Sequence, residues 1–384
     1  MTSQSYSPGL NGVIAAEIGV SLLDTDLEQI VVRGYDLIEL AQNLNYTDVA
    51  YLVIYGELPT EAQGLEFCQT LAEQCEIPEA LFQLFEMMPK STVAMDALRT
   101  GISFLAGFED PELLNDNSRE ANLKKGIKLL AQVPSLTVNS YRALNNMPFV
   151  RPDPSLRYME NFMYMLRGEK PDAVSLDAFD RIHTCYIEHE MPNSTFVARA
   201  IASTLADMYG AMVGSVASLK GPLHGGANEA AIEFILDIEK EGGPLRAEPY
   251  VMEKLAANAT IMGFGHRVYM KKYDPRAKFL MEYIPKLASR IDNGEELMSI
   301  YNTVEQTMFR EKALYPNTDF PIGLLYYELG IPIPLYTPIF LASRVAGNIA
   351  HVVEQHENNS LFRPRVIYNG ARNLHPPSSP ISPG

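Results

Sequence analysis

Apolar residues recur every three to four positions along most of this chain, in stretches such as YDLIELAQNL (35–44), TDVAYLVIYG (47–56) and RYMENFMYML (157–166). That spacing matches the 3.6-residue period of a helix with one apolar face, and a chain built from it must stack helix on helix to hide those faces. Gly and Pro supply the breaks. GELPTEAQGL sets Pro59 and Thr60 where one helix stops and the next starts, and RGEKPDAVS does the same around Pro171. Alternating apolar and polar runs are few, with NGVIAAEIGVSLLD (11–24) the main candidate for short strands. The expectation is a mostly all-α fold. Its 384 residues, 47% hydrophobic, suffice for a large core and two domains.

A formal net charge of −16 argues against nucleic acid and anionic membrane as partners, since both need a basic face. An anionic ligand would need local positive groups. One segment has them: GFGHRVYMKKYDPRAKF (263–279) gathers Arg267, Lys271, Lys272, Arg276 and Lys278 beside His266, with Asp274 as its only acid. A solvated loop is the ordinary explanation of such a run. Cys68, Cys75 and Cys185 are odd in number and lack metal-type spacing, so neither a disulfide framework nor a zinc site is expected and a cytoplasmic setting is. The opening MTSQSYSPGLNG has neither the cationic nor the apolar region of a secretory signal, and no later run has membrane length.

Two of the seven histidines lie among glycines, His224 in KGPLHGGANEA and His266 in MGFGHRVY. Glycine flanks a side chain where the backbone turns sharply or a ligand comes close; a single case is most often a capped turn, and two in one chain weaken that explanation. Asp319, in YPNTDFPIG, suits an Asx turn or helix cap, yet an acid among aromatic neighbours can also serve as a base. Arg276, Arg344, Arg363 and Arg365 are singly ordinary surface or ion-paired arginines; converging, they suit a di- or tricarboxylate. His189, in IEHEMPNSTF, reads alone as a helix-end histidine. The Ala/Gly/Ser-rich run 194–218, with Gly210 and Gly214 four apart, allows close helix contact, either within the chain or across a subunit interface. Phosphate-loop, HExxH, GxSxG and dinucleotide fingerprints are absent.

Taken in order, GLNGVIAAEIGVSLLD, RGYDLIELA, VIYGELPT, MDALRTGIS, HEMPNSTFVAR, GPLHGGANEAA, GFGHRVY with DPRAKF, YPNTDF, FLASRVAGNIAHVVEQ and RPRVIYNG resemble citrate synthase of the shorter bacterial type, up to about Gly370. The resemblance implies a two-domain helical fold, with a large domain at 1–225 and 327–370 and a hinged small domain at 226–326; beyond it, the Pro/Ser-rich HPPSSPISPG (375–384) cannot bury much, and a disordered tail is expected at 371–384. It implies a homodimer, which favours the interface reading of the Gly/Ala-rich helix. It makes Asp319 the base that takes a methyl proton from acetyl-CoA, His224 the group that stabilises the enol or enolate oxygen, and His266 the acid at the oxaloacetate carbonyl. His189, Arg276 and Arg344 become oxaloacetate ligands, with Arg363 supplied by the other subunit. Gly263, Phe264 and Gly265 would line the CoA site, with Lys271 or Lys272 facing phosphates. No metal or redox cofactor is implied.

The chain departs from the family pattern at several points. The loop between His266 and Arg276 has one residue more than usual, and the Asn of the His-Glu-x-Asn run is displaced by one, to Asn193. Val93-Ala94-Met95 stands for His-Pro-Met, and Pro321-Ile322 for Tyr-Ser. Two other functions fit the same residues less directly: 2-methylcitrate synthase, whose donor propionyl-CoA has one more methyl, and a helical assembly protein without turnover, which would have no use for His224, His266 and Asp319 together.

Overall fold

A computed structural model describes residues 6–265 and 272–376. A small antiparallel sheet comes first, β1 (Ser21–Asp24), β2 (Gln29–Val32) and β3 (Tyr35–Asp36), with Ser21 opposite Val32 and Val31 opposite Asp36. The strand expected within 11–24 thus covers only its last four residues. Asp24 Oδ1 accepts from the Asp26 and Leu27 N–H groups and turns the chain into β2.

Helices follow: α1 (Leu37–Asn43), α2 (Tyr46–Tyr55), α3 (Glu61–Glu73), α4 (Glu79–Met87), α5 (Ala94–Leu105), α6 (Pro111–Asn115), α7 (Arg119–Leu144), α8 (Tyr158–Arg167) and α9 (Ala173–Tyr186). Then come α10 (Asn193–Ala202), α11 (Met208–Leu219), α12 (Ala227–Lys240), α13 (Pro244–Ala256), α14 (Pro275–Leu280), α15 (Ile284–Ala288), α16 (Gly294–Lys312), α17 (Asp319–Glu328) and α18 (Tyr336–Glu357). Their ends obey local chemistry. Gly56, at φ +96°, stops α2, and Thr60 opens α3 in a capping box with Gln63. Gly168 stops α8 and Asp172 caps α9.

The core is organised around α7 and α18. Residues 129–140 of the first and 341–353 of the second are buried without interruption, the signature of helices enclosed on all sides. They cross closely at Gly126, where a Cβ would lie 2.6 Å from Ile349 Cγ2. α18 also packs on α2, α9, α10 and α11, while α12, α13, α15, α16 and α17 pack chiefly on one another. The small face of α11 serves a contact inside the chain: a Cβ on Gly214 would meet Ile201 of α10 at 2.1 Å, whereas Gly210 faces its own cap, Asp207. For Gly214 the intramolecular reading therefore holds.

Past Glu357 the described chain has no regular secondary structure, and Val366, Ile367 and Tyr368 are exposed. Residues 377–384 of the expected disordered tail lie outside the described residues, and 371–376 are exposed. Among the described residues no helix is long and apolar enough to cross a membrane.

Candidate active site

Residues 263–265 and 315–317 run side by side, and their pairing sets the start of α17. Phe264 and Pro316 form an antiparallel bridge. The Asn317 N–H donates to the Gly263 carbonyl at 2.9 Å, and its side-chain amide donates to the Gly265 carbonyl at 3.1 Å. Glycine is required at 263, because φ is +88° and a Cβ would lie 2.8 Å from the Phe320 Cβ. Asn317 Oδ1 then accepts from the Asp319 N–H at 3.0 Å, so one side chain ties the Gly-Phe-Gly segment to the helix that carries Asp319.

Asp319 is the first residue of α17, inside the helix rather than its cap, which is Thr318. The Tyr186 hydroxyl, at the end of α9, donates to Asp319 Oδ1 at 2.6 Å. Burial pushes the carboxyl above its ordinary range, while the Tyr186 hydrogen bond and the charges of Arg276 and Arg344 pull it back. An acid held in that balance can ionise and still accept a proton.

Arg344 projects from α18, buried at 3% exposure, and donates from Nε to the Tyr186 carbonyl. Its guanidinium lies over the Phe340 ring, 4.9 Å from the centroid. Burial lowers it to about 10, so it remains a cation at neutral pH. Arg276 sits in the first turn of α14, and Asp274, the N-cap, grips it twice, Nε to Oδ1 at 3.1 Å and Nη2 to Oδ2 at 2.8 Å. Thr318 Oγ1 donates to the same Oδ2 at 2.6 Å, joining α14 to the start of α17.

His189 is buried at 8% exposure in the connection from α9 to α10. That connection is stapled to the sheet by Ser21, whose hydroxyl donates to Glu188 Oε1 at 3.0 Å and accepts from the Glu190 N–H at 2.8 Å. Behind it, Arg199 Nη1 donates to His351 Nδ1 at 3.2 Å, which fixes the His351 hydrogen on Nε2, 3.1 Å from Glu188 Oε1. Burial works against the Glu188 charge, but His351, Arg344 and Ser21 together hold its carboxyl below the usual range.

His224 precedes α12 on a turn that only glycine can complete, since a Cβ on Gly225 would lie 2.1 Å from the Leu219 carbonyl oxygen. The Ser194 N–H donates to His224 Nε2 at 3.1 Å. The neutral ring must therefore carry its hydrogen on Nδ1. Burial, aided by Arg344, lowers the imidazole to about 4 and keeps it neutral in ordinary buffers.

The structure thus brings Gly263, Phe264, Gly265, Asp319, Arg276 and Arg344 into one connected region, with Arg344 acting electrostatically on both Asp319 and His224. His266 and Lys271 lie outside the described residues. Lys272 is turned to the β1–β2 connection, where it pairs with Glu28 at 3.3 Å and donates to the Thr25 carbonyl at 3.2 Å. Arg363 is exposed and donates to the adjoining Pro364 carbonyl at 3.4 Å. Sequence reasoning missed Tyr186, Ser194, Asn317 and Glu188; all but Tyr186 fall within quoted motifs, and Tyr186 lies three positions before His189. Among the described residues no group of three or more His, Cys, Asp or Glu could hold a metal ion.

Comparison with known proteins gives one family throughout. The profile of "Citrate synthase, C-terminal domain" matches residues 9–365. The chain is 47% identical over 374 residues to a citrate synthase of Heyndrickxia coagulans, covering 97% of this chain and 99% of that one. It is 46% identical over 369 residues to a citrate/2-methylcitrate synthase of Bacillus subtilis, covering 96% and 98%. Among solved structures, citrate synthase from Pyrobaculum aerophilum aligns at TM-score 0.89 with 34% identity over 96% of this chain and 93% of that one. The ternary complex of Thermoplasma acidophilum citrate synthase with carboxymethyl coenzyme A and oxaloacetate aligns at TM-score 0.90, with 31% identity over 97% of this chain and 99% of that one.

Proposed function

The chain belongs to the citrate synthase family, and from that premise we propose how its residues condense acetyl-CoA with oxaloacetate and hydrolyse the product to citrate and CoA. The enzyme is an acyltransferase. Asp319 takes a proton from the acetyl methyl group, a very weak acid, and the transfer is feasible only if the thioester oxygen is stabilised as it gains charge. His224 supplies that stabilisation from Nδ1–H. The resulting enol or enolate attacks the oxaloacetate carbonyl, whose oxygen receives its proton from His266. Arg276, Arg344 and His189 hold the oxaloacetate carboxylates, and hydrolysis of the citryl thioester drives the reaction forward. No metal or redox cofactor takes part.

The observation that carries this reading is the buried Arg344 guanidinium, which acts on both Asp319 and His224 and gives a dianionic substrate a cationic partner beside base and enolate stabiliser. CoA would lie along Gly263, Phe264 and Gly265, which pair with the strand leading to Asp319; of the two candidate lysines, Lys272 would have to leave Glu28 to reach a phosphate. The active unit is a homodimer in which Arg363 of a second copy completes the oxaloacetate site, consistent with its exposed position. The helices α12 to α17, packing chiefly on one another, support a small domain at 226–326 that closes on a large one at 1–225 and 327–370. Three unpaired cysteines suit a reducing cytoplasm.

The near-equal identity to a citrate/2-methylcitrate synthase favours a second reading, with propionyl-CoA as donor. One extra methyl is worth only about 1–3 kcal/mol in a pocket. Release of free CoA thiol, with oxaloacetate and either acetyl-CoA or propionyl-CoA, tests both. Wild-type protein should turn over acetyl-CoA with the larger kcat/KM; a larger value for propionyl-CoA replaces the assignment. Asp319→Asn should lose about 10³-fold or more in kcat while calorimetry still detects oxaloacetate binding. Undiminished turnover in that variant removes Asp319 as the base.

A further inference from the structure

Tyr186 stands between the two halves of this site. It is the last residue of α9 and only 2% exposed. Its hydroxyl donates to Asp319 Oδ1 at 2.6 Å and lies 3.5 Å from the donating Asn228 amide. Its own carbonyl accepts from Arg344 Nε. Its ring meets the Phe340 ring edge-on at 4.3 Å, on the residue over which the Arg344 guanidinium rests. Resting on the reading of Asp319 as the base, we propose that Tyr186 is a positioning residue that selects the proton-accepting oxygen of Asp319 and sets its basicity.

The chemistry follows from the donor. A tyrosine hydroxyl engaged on Oδ1 directs proton transfer to Oδ2. There the C–H bond of the acyl methyl breaks, an O–H bond forms, and the electron pair passes to the enolate held by His224. The same hydrogen bond favours the charged carboxylate over the neutral acid. The titratable groups that face Asp319 among the described residues are Tyr186 from α9, Arg276 and Asp274 from α14, Arg344 from α18 and Tyr326 from α17 itself. Arg276 and Arg344 act as fixed positive charges and Asp274 as an opposing negative one, whereas Tyr186 touches the carboxylate through a neutral donor that can be removed without changing any charge.

Tyr186→Phe keeps the ring on Phe340 and removes only the donor. In the full-length enzyme the acid limb of the kcat/KM profile for acetyl-CoA should move to higher pH by about 1–2 units, the worth of a hydrogen bond to a carboxylate. The KM for oxaloacetate should stay within about twofold, because the main-chain bond to Arg344 is retained. An unmoved limb in a folded variant that binds oxaloacetate overturns the proposal. If the Phe variant does not fold, 3,5-difluorotyrosine at 186, a stronger donor, must move the limb to lower pH, and an unmoved limb there overturns it equally. Failure of the underlying reading has a different signature, activity in Asp319→Asn, and does not depend on where the limb lies.

Discussion

His224 shows how much a single backbone donor decides. Because Ser194 N–H points at Nε2, the ring can offer only Nδ1–H to a ligand, and burial keeps it from charging. A neutral donor that binds a developing enolate need not surrender its proton in the ground state, unlike an imidazolium. Nitrogen chemical shifts of the labelled His224 ring should therefore report a neutral Nδ1–H form unchanged between pH 6 and pH 8, as a pKa of about 4 requires. A ring titrating near its ordinary value would remove this account. The motif GPLHGG advertised a glycine-flanked histidine, but the tautomer was invisible because its partner lies thirty positions earlier in the chain.

Among the elements, α18 does the most to shape the site, since it carries Arg344 and braces the segment that carries His189. The brace is tight at Gly347, where a Cβ would lie 2.2 Å from Glu188 Oε2 and 2.6 Å from the Ile187 carbonyl oxygen. Backbone is on one side of that contact, so the connection must shift to accept even a methyl group. Gly347→Ala should destabilise the fold by about 1–3 kcal/mol in urea titrations. It should also weaken oxaloacetate binding by about tenfold, because His189 moves with Glu188. Unchanged affinity at reduced stability would show that the contact supports the core and not the site. In the sequence this glycine is one small residue in FLASRVAGNIAH, and helical periodicity gives no hint of what its face meets.

At the scale of the whole molecule, stability has a pH dependence set far from Asp319, at the other end of α17. Glu328 is buried in a pocket with Met147, Met163 and Leu166, and neither carboxyl oxygen has a hydrogen-bond partner among the described residues. Burial raises it to about 9 from an ordinary 4.5. The folded state thus keeps a proton that the unfolded chain releases, so stability declines as pH rises from about 4.5 to about 9. Glu328→Gln should be more stable than wild type by about 1–3 kcal/mol at pH 8, with a flatter decline between pH 6 and pH 8. Equal slopes in denaturation at the two pH values would refute it. The helical class, most helix ends and the identity of the chemical groups were determined by the sequence itself, because period, caps and glycine turns act between residues a few positions apart. Which groups meet was decided by the tertiary structure alone: Tyr186 reaches Asp319 across 133 positions, and Arg199, His351 and Glu188 align behind His189 from three separate elements. Such contacts depend on how buried helices stack, and stacking is a property of the assembled core that no local pattern encodes.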